Sequence, residues 1–310
     1  MLTAVVTGAD GFIGKALLKE LSNNCVNIYA VVRNESVDIE SIKDISGVNI
    51  IYCDMNHIDE LPDKINQTAD VFFHLAWFGS TGDVRGDYDV QLKNVDWTIN
   101  AVRIAKKLGC QRFVGAGTLA ELDVNAYIPL DYSKPNKVSC YGVAKIAAHY
   151  MSKIECHNLG IEHLWAYISN TYGPGNYTSN FVNFAAKILL TGQAADFTSG
   201  EQFYDFVYIN DVAQALYCIA KSGQNNCAYY IGSGRPGRLK DFIKTIRDEI
   251  DPKIQLNLGA IPFNGVAHPK TTFDSSKLMK DTGYQPTTCF EAGIAETVSW
   301  IKMQIEEGRL

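Results

Sequence analysis

Tyr141 and Lys145 stand four residues apart in the helical-looking segment CYGVAKIAAHY. At that spacing both side chains lie on one face of a helix. A tyrosine phenol ordinarily titrates near pH ~10 and exchanges protons poorly at neutral pH. A neighbouring ammonium favours the phenolate and makes the tyrosine a usable general acid or base. The pair therefore predicts proton transfer, although an exposed Tyr/Lys pair without function has the same spacing.

A second candidate for chemistry is the glycine-rich segment TGADGFIG at residues 7–14. Gly8 permits a tight turn, Gly11 lets the backbone approach a pyrophosphate, and Gly14 lets a helix pack closely on a strand. The start of the following helix offers free N–H groups to phosphate oxygens. Between a strand pattern and a helix pattern, the motif predicts dinucleotide binding rather than a purely structural turn.

The end of the second predicted strand bears on which dinucleotide binds. NAD enzymes usually carry Asp or Glu there for the ribose 2′-hydroxyl, whereas an Arg accommodates a 2′-phosphate. This strand ends in VVRN at 31–34, with no carboxylate before Glu35. Arg33 therefore favours NADP over NAD, with a solvated loop cation as the plain alternative. Asp54 is expected either to accept a hydrogen bond from the adenine amino group or to cap a helix.

The elements that must position these residues alternate between short apolar strands and amphipathic helices. Such strands, each followed by a helix, are typical of buried parallel strands in an open α/β sheet. We predict strands at 2–7, 26–32, 48–53, 70–75, 111–116 and 161–166, and helices near 11–22, 58–66, 84–108 and 140–159. Beyond residue 170 we predict a strand-like segment at 203–209 and helices near 180–191, 210–221, 238–250 and 289–306.

Composition excludes several classes of protein. The net charge of −6 argues against a nucleic-acid backbone or an anionic membrane as the main partner. No apolar run approaches the ~18 residues of a membrane span, and the N-terminus lacks signal-peptide features. The eight cysteines show no paired spacing, so we expect reduced thiols and a cytoplasmic location. The six histidines lack ligand spacing, so no metal site is expected.

Taken together, the motifs resemble those of the nucleotide-sugar epimerase/dehydratase family of extended short-chain dehydrogenases/reductases, over essentially the whole chain. Besides TGADGFIG and YGVAK, the resemblance rests on HLAW at 74–77, RFVGAGTLAE at 112–121, SNTYGPG at 169–175, FYDFVYINDVAQAL at 203–216 and FDSSKL at 273–278. It implies a nicotinamide cofactor, a Rossmann-type doubly wound parallel sheet, and a homodimer formed through the helices at 84–108 and 140–159.

The resemblance also assigns roles to individual residues. Tyr141 would be the general acid/base, Lys145 would hold the nicotinamide ribose and tune Tyr141, and Thr118 would hydrogen-bond the substrate oxygen. Besides Tyr141 and Lys145, the residues expected at the cofactor are Gly8, Gly11, Phe12, Ile13, Gly14, Arg33, Asp54, Leu75, Ala76, Asn94 and Ile168. The residues expected at the substrate are Asn170, Tyr204, Arg235 and His268.

The chain departs from the family pattern in two places. Dehydratases carry acidic residues directly after the catalytic Ser/Thr, whereas Leu119 and Ala120 stand here, which argues against a dehydratase. Two arginines of the pyrophosphate region correspond to Tyr167 and Tyr204, and a third matches Asn264 best. Because bidentate Arg–phosphate contacts are strong, either other cations replace them or the substrate is not an ordinary nucleoside-diphosphate sugar. The candidate replacements are Arg235, Arg238, His268 and Lys270.

The length of 310 residues suggests about two domains at ~150 residues each. Since no linker separates them, we expect an interleaved arrangement. The dinucleotide-binding domain would comprise 1–170, with 204–231 returning to it. A smaller α/β substrate-binding domain would comprise 171–203 and 232–310.

The favoured function is an NADP-dependent reductase of a keto group on a nucleotide-linked deoxysugar, with hydride from the nicotinamide and Tyr141 as proton donor. A 4-epimerase that retains NAD is the first alternative, although the missing carboxylate after the second strand counts against it. The missing arginines suggest a reductase of a non-nucleotide ketone as a further alternative. A non-catalytic dinucleotide sensor is disfavoured, because Thr118, Tyr141 and Lys145 are all present.

Overall fold

The computed structural model describes residues 2–33, 39–127 and 137–310. Its strands are β1 (Thr3–Thr7), β2 (Asn27–Val32), β3 (Val48–Tyr52), β4 (Val71–His74), β5 (Arg112–Thr118), β6 (Glu162–Ile168), β7 (Asn170–Tyr172), β8 (Asp196–Phe197), β9 (Phe203–Tyr204), β10 (Phe206–Tyr208), β11 (Cys227–Ile231), β12 (Gly237–Arg238) and β13 (Asn257–Leu258). Its α-helices are α1 (Phe12–Asn23), α2 (Leu61–Lys64), α3 (Tyr88–Lys107), α4 (Leu119–Tyr127), α5 (Lys137–Leu159), α6 (Phe181–Leu190), α7 (Ile209–Ser222), α8 (Leu239–Ile250), α9 (Ser276–Thr282) and α10 (Phe290–Glu306). Four short 3₁₀ helices within these ranges span Ile39–Ser41, Met55–Glu60, Asp83–Gly86 and Lys270–Thr272.

Seven of the described strands form one parallel sheet in the order β3-β2-β1-β4-β5-β6-β11. The chain winds outward from β1 to β3 and then from β4 to β11, so the strand order reverses between β1 and β4. This doubly wound arrangement confirms the predicted fold class. In such sheets ligands bind beyond the carboxyl ends of the strands at the point of reversal.

The central strands of this sheet are buried along their whole length, which explains their unbroken apolar sequences. Every residue of β1 and of β4 is buried. On one face, Phe72 and Phe113 stack 5.9 Å apart in a cluster that includes Ile104 and Leu61. Parallel strands with both faces covered read as continuous hydrophobic runs rather than as an alternating pattern.

The chain divides into two compact units. The first comprises Met1–Ile168, Val212–Ile231 and Lys277–Tyr284, and the second comprises Ser169–Asp211, Gly232–Ser276 and Gln285–Leu310. The return to the first unit begins at Val212 rather than at residue 204, because β9 and β10 pair with β12 and β7 of the second unit. Segment 277–284 joins the first unit, where Asp281 accepts a hydrogen bond from the Tyr229 hydroxyl of β11.

The second unit has an aromatic core of its own. Phe206 of β10 lies at its centre, with the rings of Phe242, Phe290 and Tyr204 at 5.0, 5.6 and 5.7 Å. Tyr172 of β7 packs against Phe290 at 5.1 Å. These rings join α8 and α10 to the β7–β10 pair.

Several elements differ from the sequence prediction. The helix predicted near 58–66 is divided in two, because Pro62 stands in the first turn of α2 and starts a new helix. The helix predicted near 84–108 begins at Tyr88, where the Asp87 carboxylate caps its first turn. Helices α4 and α9 were not predicted. Within the described ranges no helix is long and apolar enough to cross a membrane, and all eight cysteines are free.

Candidate active site

The glycine loop after β1 has the close backbone approaches that its sequence predicts. Gly8 has a φ of +68°, and a Cβ on it would lie 2.8 Å from the backbone nitrogen of Ala76. A Cβ on Gly14 would overlap the Gly8 carbonyl oxygen. The loop therefore lies against the Leu75–Ala76 backbone at the carboxyl ends of β1 and β4, which is where the strand order reverses.

The start of α1 fits the phosphates of a dinucleotide. Gly11 occupies the N-cap position, where it provides no side-chain cap, and the first turn carries no acidic residue. The first backbone N–H groups of an α-helix lack partners within the helix, and the positive end of the helix dipole favours anions. The N–H groups of Phe12 and Ile13 are thus available to a pyrophosphate.

The two residues predicted at the adenosine end lie at the carboxyl ends of β2 and β3. Arg33 directly follows β2 and is exposed. The Asp54 carboxylate accepts hydrogen bonds from the Asn56 backbone N–H and side-chain amide, both at 2.8 Å, and so caps the 3₁₀ helix Met55–Glu60. The capping alternative for Asp54 is observed, and its contact with adenine stays a prediction.

Asn94 of α3 is almost fully buried, and its amide holds the loop that follows β4. Its Oδ1 accepts from the Phe78 N–H at 2.8 Å, and its Nδ2 donates to the Phe78 and Val90 carbonyls at 2.8 and 2.9 Å. Gln91, one turn earlier, accepts a hydrogen bond from the Trp77 indole at 2.9 Å. The structure thus shows Asn94 shaping the loop near the cofactor-binding edge, and its direct contact with the cofactor stays a prediction.

Tyr141 and Lys145 both lie on α5 and are buried, with 7% and 5% of their surfaces exposed. The Lys145 Nζ donates to the Ala116 carbonyl of β5 at 2.7 Å and lies 3.7 Å from the centre of the Trp77 ring. The Trp77 ring meets Tyr141 edge-on at 5.9 Å. The predicted pair is therefore an enclosed site rather than an exposed Tyr/Lys pair.

Burial dominates the ionisation of both groups. It raises the pKa of Tyr141 to about 12, while the positive charge of Arg85 and a hydrogen bond with Thr118 act to lower it. Burial lowers the pKa of Lys145 to about 7, against the opposing effect of the Glu121 carboxylate. Near neutral pH the Lys145 amine is thus poised between its charged and neutral forms, as a proton-transfer site requires.

Thr118 is the last residue of β5 and is in register with Ile168, the last residue of β6. Both strands extend two residues further than predicted, which carries Thr118 to the carboxyl edge of the sheet. Its backbone N–H donates to Glu121 Oε1 at 2.9 Å, and its hydroxyl accepts from the Ala120 N–H at 3.3 Å. The structure thus brings together Thr118, Tyr141 and Lys145, the three residues predicted to be catalytic.

Glu121, a residue with no role predicted from the sequence, is a buried carboxylate close to this site. Only 1% of its surface is exposed, and Oε1 also accepts from the Trp165 indole at 3.2 Å. Its Oε2 lies 3.5 Å from His149 Nδ1. Glu121 is thus held through Oε1, whereas Oε2 is buried without a hydrogen-bond partner among the described residues.

Tyr167, at a position interpreted as a lost phosphate-binding arginine, points to a different place from that expected. Its hydroxyl lies 3.3 Å from His149 Nδ1, and its ring meets His149 edge-on at 5.6 Å. His149 in turn stacks on Trp165 at 4.6 Å. Residue 167 therefore faces α5 within the first unit, so a tyrosine there need not signal a lost phosphate contact.

In the second unit, the segments that carry two of the predicted substrate residues are both hydrogen-bonded to the buried residue Asp205, which we call the Asp205 anchor. The Asp205 carboxylate accepts from the Ser233 N–H at 3.1 Å and from the Ser233 hydroxyl. The Asp205 carbonyl accepts from the Asn170 amide at 3.2 Å. The side chain of Arg235 is exposed, and its backbone N–H donates a hydrogen bond to the Ser233 hydroxyl at 3.0 Å. Asp205 thereby fixes the loop that carries Arg235 beside Asn170.

The other predicted substrate residues have separate surroundings within this unit. Tyr204 stacks on Phe206 and is part of the aromatic core. The Arg238 guanidinium donates to the Glu201 carbonyl and lies 4.2 Å from the centre of the Phe203 ring. His268 packs edge-on against Phe273 at 6.0 Å. Among the candidate replacement cations, Arg235 lies in a loop that is tied through Ser233 to Asp205, the residue that also binds Asn170.

A comparison with family models decides the affiliation of the chain. Residues 4–232 match the model of the NAD dependent epimerase/dehydratase family. The chain belongs to this family. The match covers the glycine loop and the Thr118–Tyr141–Lys145 site, so the resemblance inferred from the motifs is confirmed and the protein is an enzyme of this type.

Individual relatives and structures agree with this affiliation. The chain is 24% identical to CDP-abequose synthase of Salmonella typhimurium over 94% of this chain and 96% of that one. The Bordetella bronchiseptica enzyme WbmF in complex with NADH superposes with a TM-score of 0.82 at 21% identity, over 99% and 93% of the chains. A UDP-N-acetylglucosamine 4-epimerase of Methanobrevibacter ruminantium gives a TM-score of 0.81 at 23% identity, over 98% and 99%. The structural likenesses establish the shared fold.

Proposed function

We propose that this family member is an NADP-dependent reductase of a keto group on a nucleotide-linked sugar, in the simplest case a 4-keto-6-deoxy sugar. The observation that carries the proposal is the enclosed Thr118–Tyr141–Lys145 site without acidic residues at positions 119 and 120. Such a site can move a proton to a carbonyl oxygen but lacks the acids for elimination. The likeness to CDP-abequose synthase supports the choice of a deoxysugar.

In this proposal the protein supplies the proton and the bound nicotinamide supplies the hydride. Tyr141 gives its phenol proton to the carbonyl oxygen while the carbonyl carbon accepts the hydride, which leaves a phenolate at residue 141 and an alcohol on the sugar. The Thr118 hydroxyl hydrogen-bonds the same oxygen as its negative charge develops. Lys145 in its protonated form stabilises the phenolate, and burial of the site strengthens these electrostatic interactions.

The substrate end of the proposal rests on the second unit. Asn170 and Arg235 would contact the nucleotide diphosphate, because Asp205 holds both of their segments in place. An arginine fork can bind two phosphate oxygens at once. Tyr204 and His268 would then provide packing and hydrogen-bonding surface for the sugar rather than charge.

A second candidate function is a 4-epimerase that retains NAD through an oxidation and a reduction. The same tyrosine and lysine serve that reaction, and the fold is shared with a UDP-N-acetylglucosamine 4-epimerase. The two functions differ in the fate of the cofactor. A reductase consumes one reduced dinucleotide for each product, whereas an epimerase consumes none.

Isotope transfer separates the two functions. We would supply the purified protein with dTDP- or CDP-linked 4-keto-6-deoxy sugars and NADPH deuterated at C4 of the nicotinamide. The expected result is one deuterium in the product for each NADPH oxidised, as measured by mass spectrometry. Interconversion of UDP-linked 4-epimers without NADPH oxidation would instead establish the epimerase. Reduction of simple ketones alone would favour a non-nucleotide substrate.

The choice of NADPH rests on Arg33 and gives a separate prediction. Arg33→Asp should weaken NADPH binding by about 10- to 100-fold, because a charge-assisted contact with the 2′-phosphate is replaced by repulsion. The same variant should bind NADH at least as well, because the new carboxylate can accept from the ribose hydroxyls. Fluorescence titration of both cofactors measures this, with Arg309→Asp as the matched exposed control. Equal affinities of the parent for both cofactors would contradict the assignment and strengthen the epimerase alternative.

We also propose that the protein is a homodimer through α3 and α5. Large apolar side chains are exposed along both helices: Tyr88, Leu92, Val143, Tyr150, Met151 and Ile154. Extended apolar patches of this kind mark association surfaces, and a two-fold axis pairs the same patch with itself. Light scattering should give twice the chain mass for the parent and the single chain mass for Leu92→Glu/Ile154→Glu. A monomeric parent would contradict the proposal.

A further inference from the structure

Arg85 lies directly on the ring of Tyr141, although no sequence motif draws attention to it. It belongs to the 3₁₀ helix Asp83–Gly86, and its guanidinium carbon is 4.5 Å from the centre of the Tyr141 ring. The surrounding loop is fastened on both sides. Gln91 donates to the Gly79 and Val84 carbonyls at 2.9 and 3.2 Å, and Asp83 pairs with Lys137 of α5. These contacts fix the conformation of the loop and therefore the position of the Arg85 backbone.

The described part of the chain offers the Arg85 guanidinium neither a hydrogen bond nor an ion pair. Its Nε is buried without a hydrogen-bond partner. A buried donor without a partner is costly and rare in folded proteins, so each example calls for an explanation. Hydrogen bonds among the described residues do not explain this placement. The contact that remains is the face of the Tyr141 ring, which attracts a cation.

Three charged groups and one hydroxyl surround Tyr141, and they come from four elements. Arg85 approaches from the loop, Lys145 from α5, and the negative Glu121 from α4, while the Thr118 hydroxyl comes from β5. The Lys145 Nζ is 5.9 Å from the ring centre, and burial lowers the pKa of Lys145 to about 7. Lys145 therefore loses part of its charge near neutral pH. An arginine does not lose its charge in this range, so Arg85 is the permanent cation of the site.

We propose that Arg85 is the fixed positive charge that stabilises the phenolate of Tyr141, acting on the face of its ring alongside Lys145. The inference rests on the proposed role of Tyr141 as the proton donor. When Tyr141 gives up its proton, the negative charge spreads over the phenol ring, which lies against the guanidinium. Arg85 then lowers the free-energy barrier to proton transfer from Tyr141. It acts through the Tyr141 ring and does not contact the substrate oxygen.

The experiment follows the ionisation of Tyr141 itself. We would incorporate 3,5-difluorotyrosine at position 141 of the full-length protein, since its phenol is more acidic and is visible by ¹⁹F NMR. Titration without substrate then gives the midpoint of phenol ionisation. Arg85→Gln and Arg85→Met should each raise this midpoint by about one to three pH units, the effect of losing an opposite charge at this distance. Arg85→Lys should stay nearer the parent because it keeps the positive charge.

Matched control variants separate the effect of the Arg85 charge on the ionisation midpoint from the effect of Arg85 packing. Lys93→Gln removes a cation that contacts the Trp97 ring instead, and should leave the midpoint unchanged. An unchanged midpoint in both neutral Arg85 variants, with native thermal melting, would overturn the proposal. Equal shifts in Arg85→Lys and Arg85→Gln would also overturn it, because packing rather than charge would then be responsible. The midpoint requires neither substrate nor hydride transfer, so failure of the reductase proposal would be seen separately.

Discussion

Replacing Tyr141 by phenylalanine is expected to lower kcat by about 10²- to 10⁴-fold, the usual contribution of a positioned acid. The phenol group is buried, and water cannot readily take its place as proton donor. Phenylalanine keeps the ring that contacts Trp77 and Arg85, so folding and cofactor binding should remain intact. Steady-state rates with an accepted keto sugar and a fluorescence titration of the cofactor measure the two properties separately.

Thr118→Val is the companion variant for this prediction. It removes one hydrogen bond to the substrate oxygen but leaves the acid in place, so its loss of kcat should be smaller. The Thr118 backbone N–H still donates to Glu121 in this variant, which protects the turn from β5 into α4. If Thr118→Val were the more damaging change, the assignment of proton donor and hydrogen-bond donor would be wrong.

The conformation of the glycine loop could be predicted from the sequence because its determinants are local. Gly8 has a positive φ, and Gly14 lies against the Gly8–Ala9 backbone of the same loop, so both requirements arise from residues close together in the sequence. The spacing of Tyr141 and Lys145 within one helix is also local, so their shared face followed from helical geometry. The carboxyl ends of parallel strands then bring these segments to one edge of the sheet.

The surroundings of Tyr141 could not be predicted, since they depend on how distant segments pack. Arg85 stands in a short 3₁₀ helix that was read as the start of α3, and Glu121 lies on α4, a helix that the prediction missed. One available signal was the Gly115-Ala-Gly117 sequence, because a Cβ at either glycine would overlap the Trp165 ring. The two glycines leave room for the Trp165 side chain of β6 to lie across β5, which becomes evident only once the strand pairing is known.

The interpretation of Tyr167 illustrates the same limit. A motif match assigned this position to the phosphate region, whereas strand alternation puts His163, Trp165 and Tyr167 on the face that packs against α5. In the second unit, the Asp205 anchor joins segments 28 residues apart, which no local pattern reports. Asn170 and Arg235 were predicted from motifs, whereas the long-range polar contacts that hold them emerged only from the structure.

Stability should depend on pH through Lys145, and the expected change is large. Lys145 is 5% exposed, and burial lowers its pKa to about 7, whereas an unfolded lysine titrates near ~10.4. Below pH 7 both states carry the charge, and burying it costs free energy. Between these two values the unfolded state binds the extra proton, so the free energy of unfolding rises with pH across this window. Between pH 7 and pH 9.5 the contribution of Lys145 to this rise should amount to roughly 3 kcal/mol.

The comparison that isolates this contribution is with Lys145→Met, an uncharged side chain of similar length. Burial also raises the pKa values of the Cys110 and Cys156 thiols to about 12, which opposes the rise because unfolded thiols ionise first. The parent curve alone therefore does not report Lys145. We would measure the free energy of unfolding with denaturant at pH 7 and pH 9.5. From the lower to the higher pH, this free energy should rise more, or fall less, in the parent than in the Lys145→Met variant. Parallel pH dependences would mean that Lys145 keeps its charge in the folded protein, with Glu121 compensating its burial.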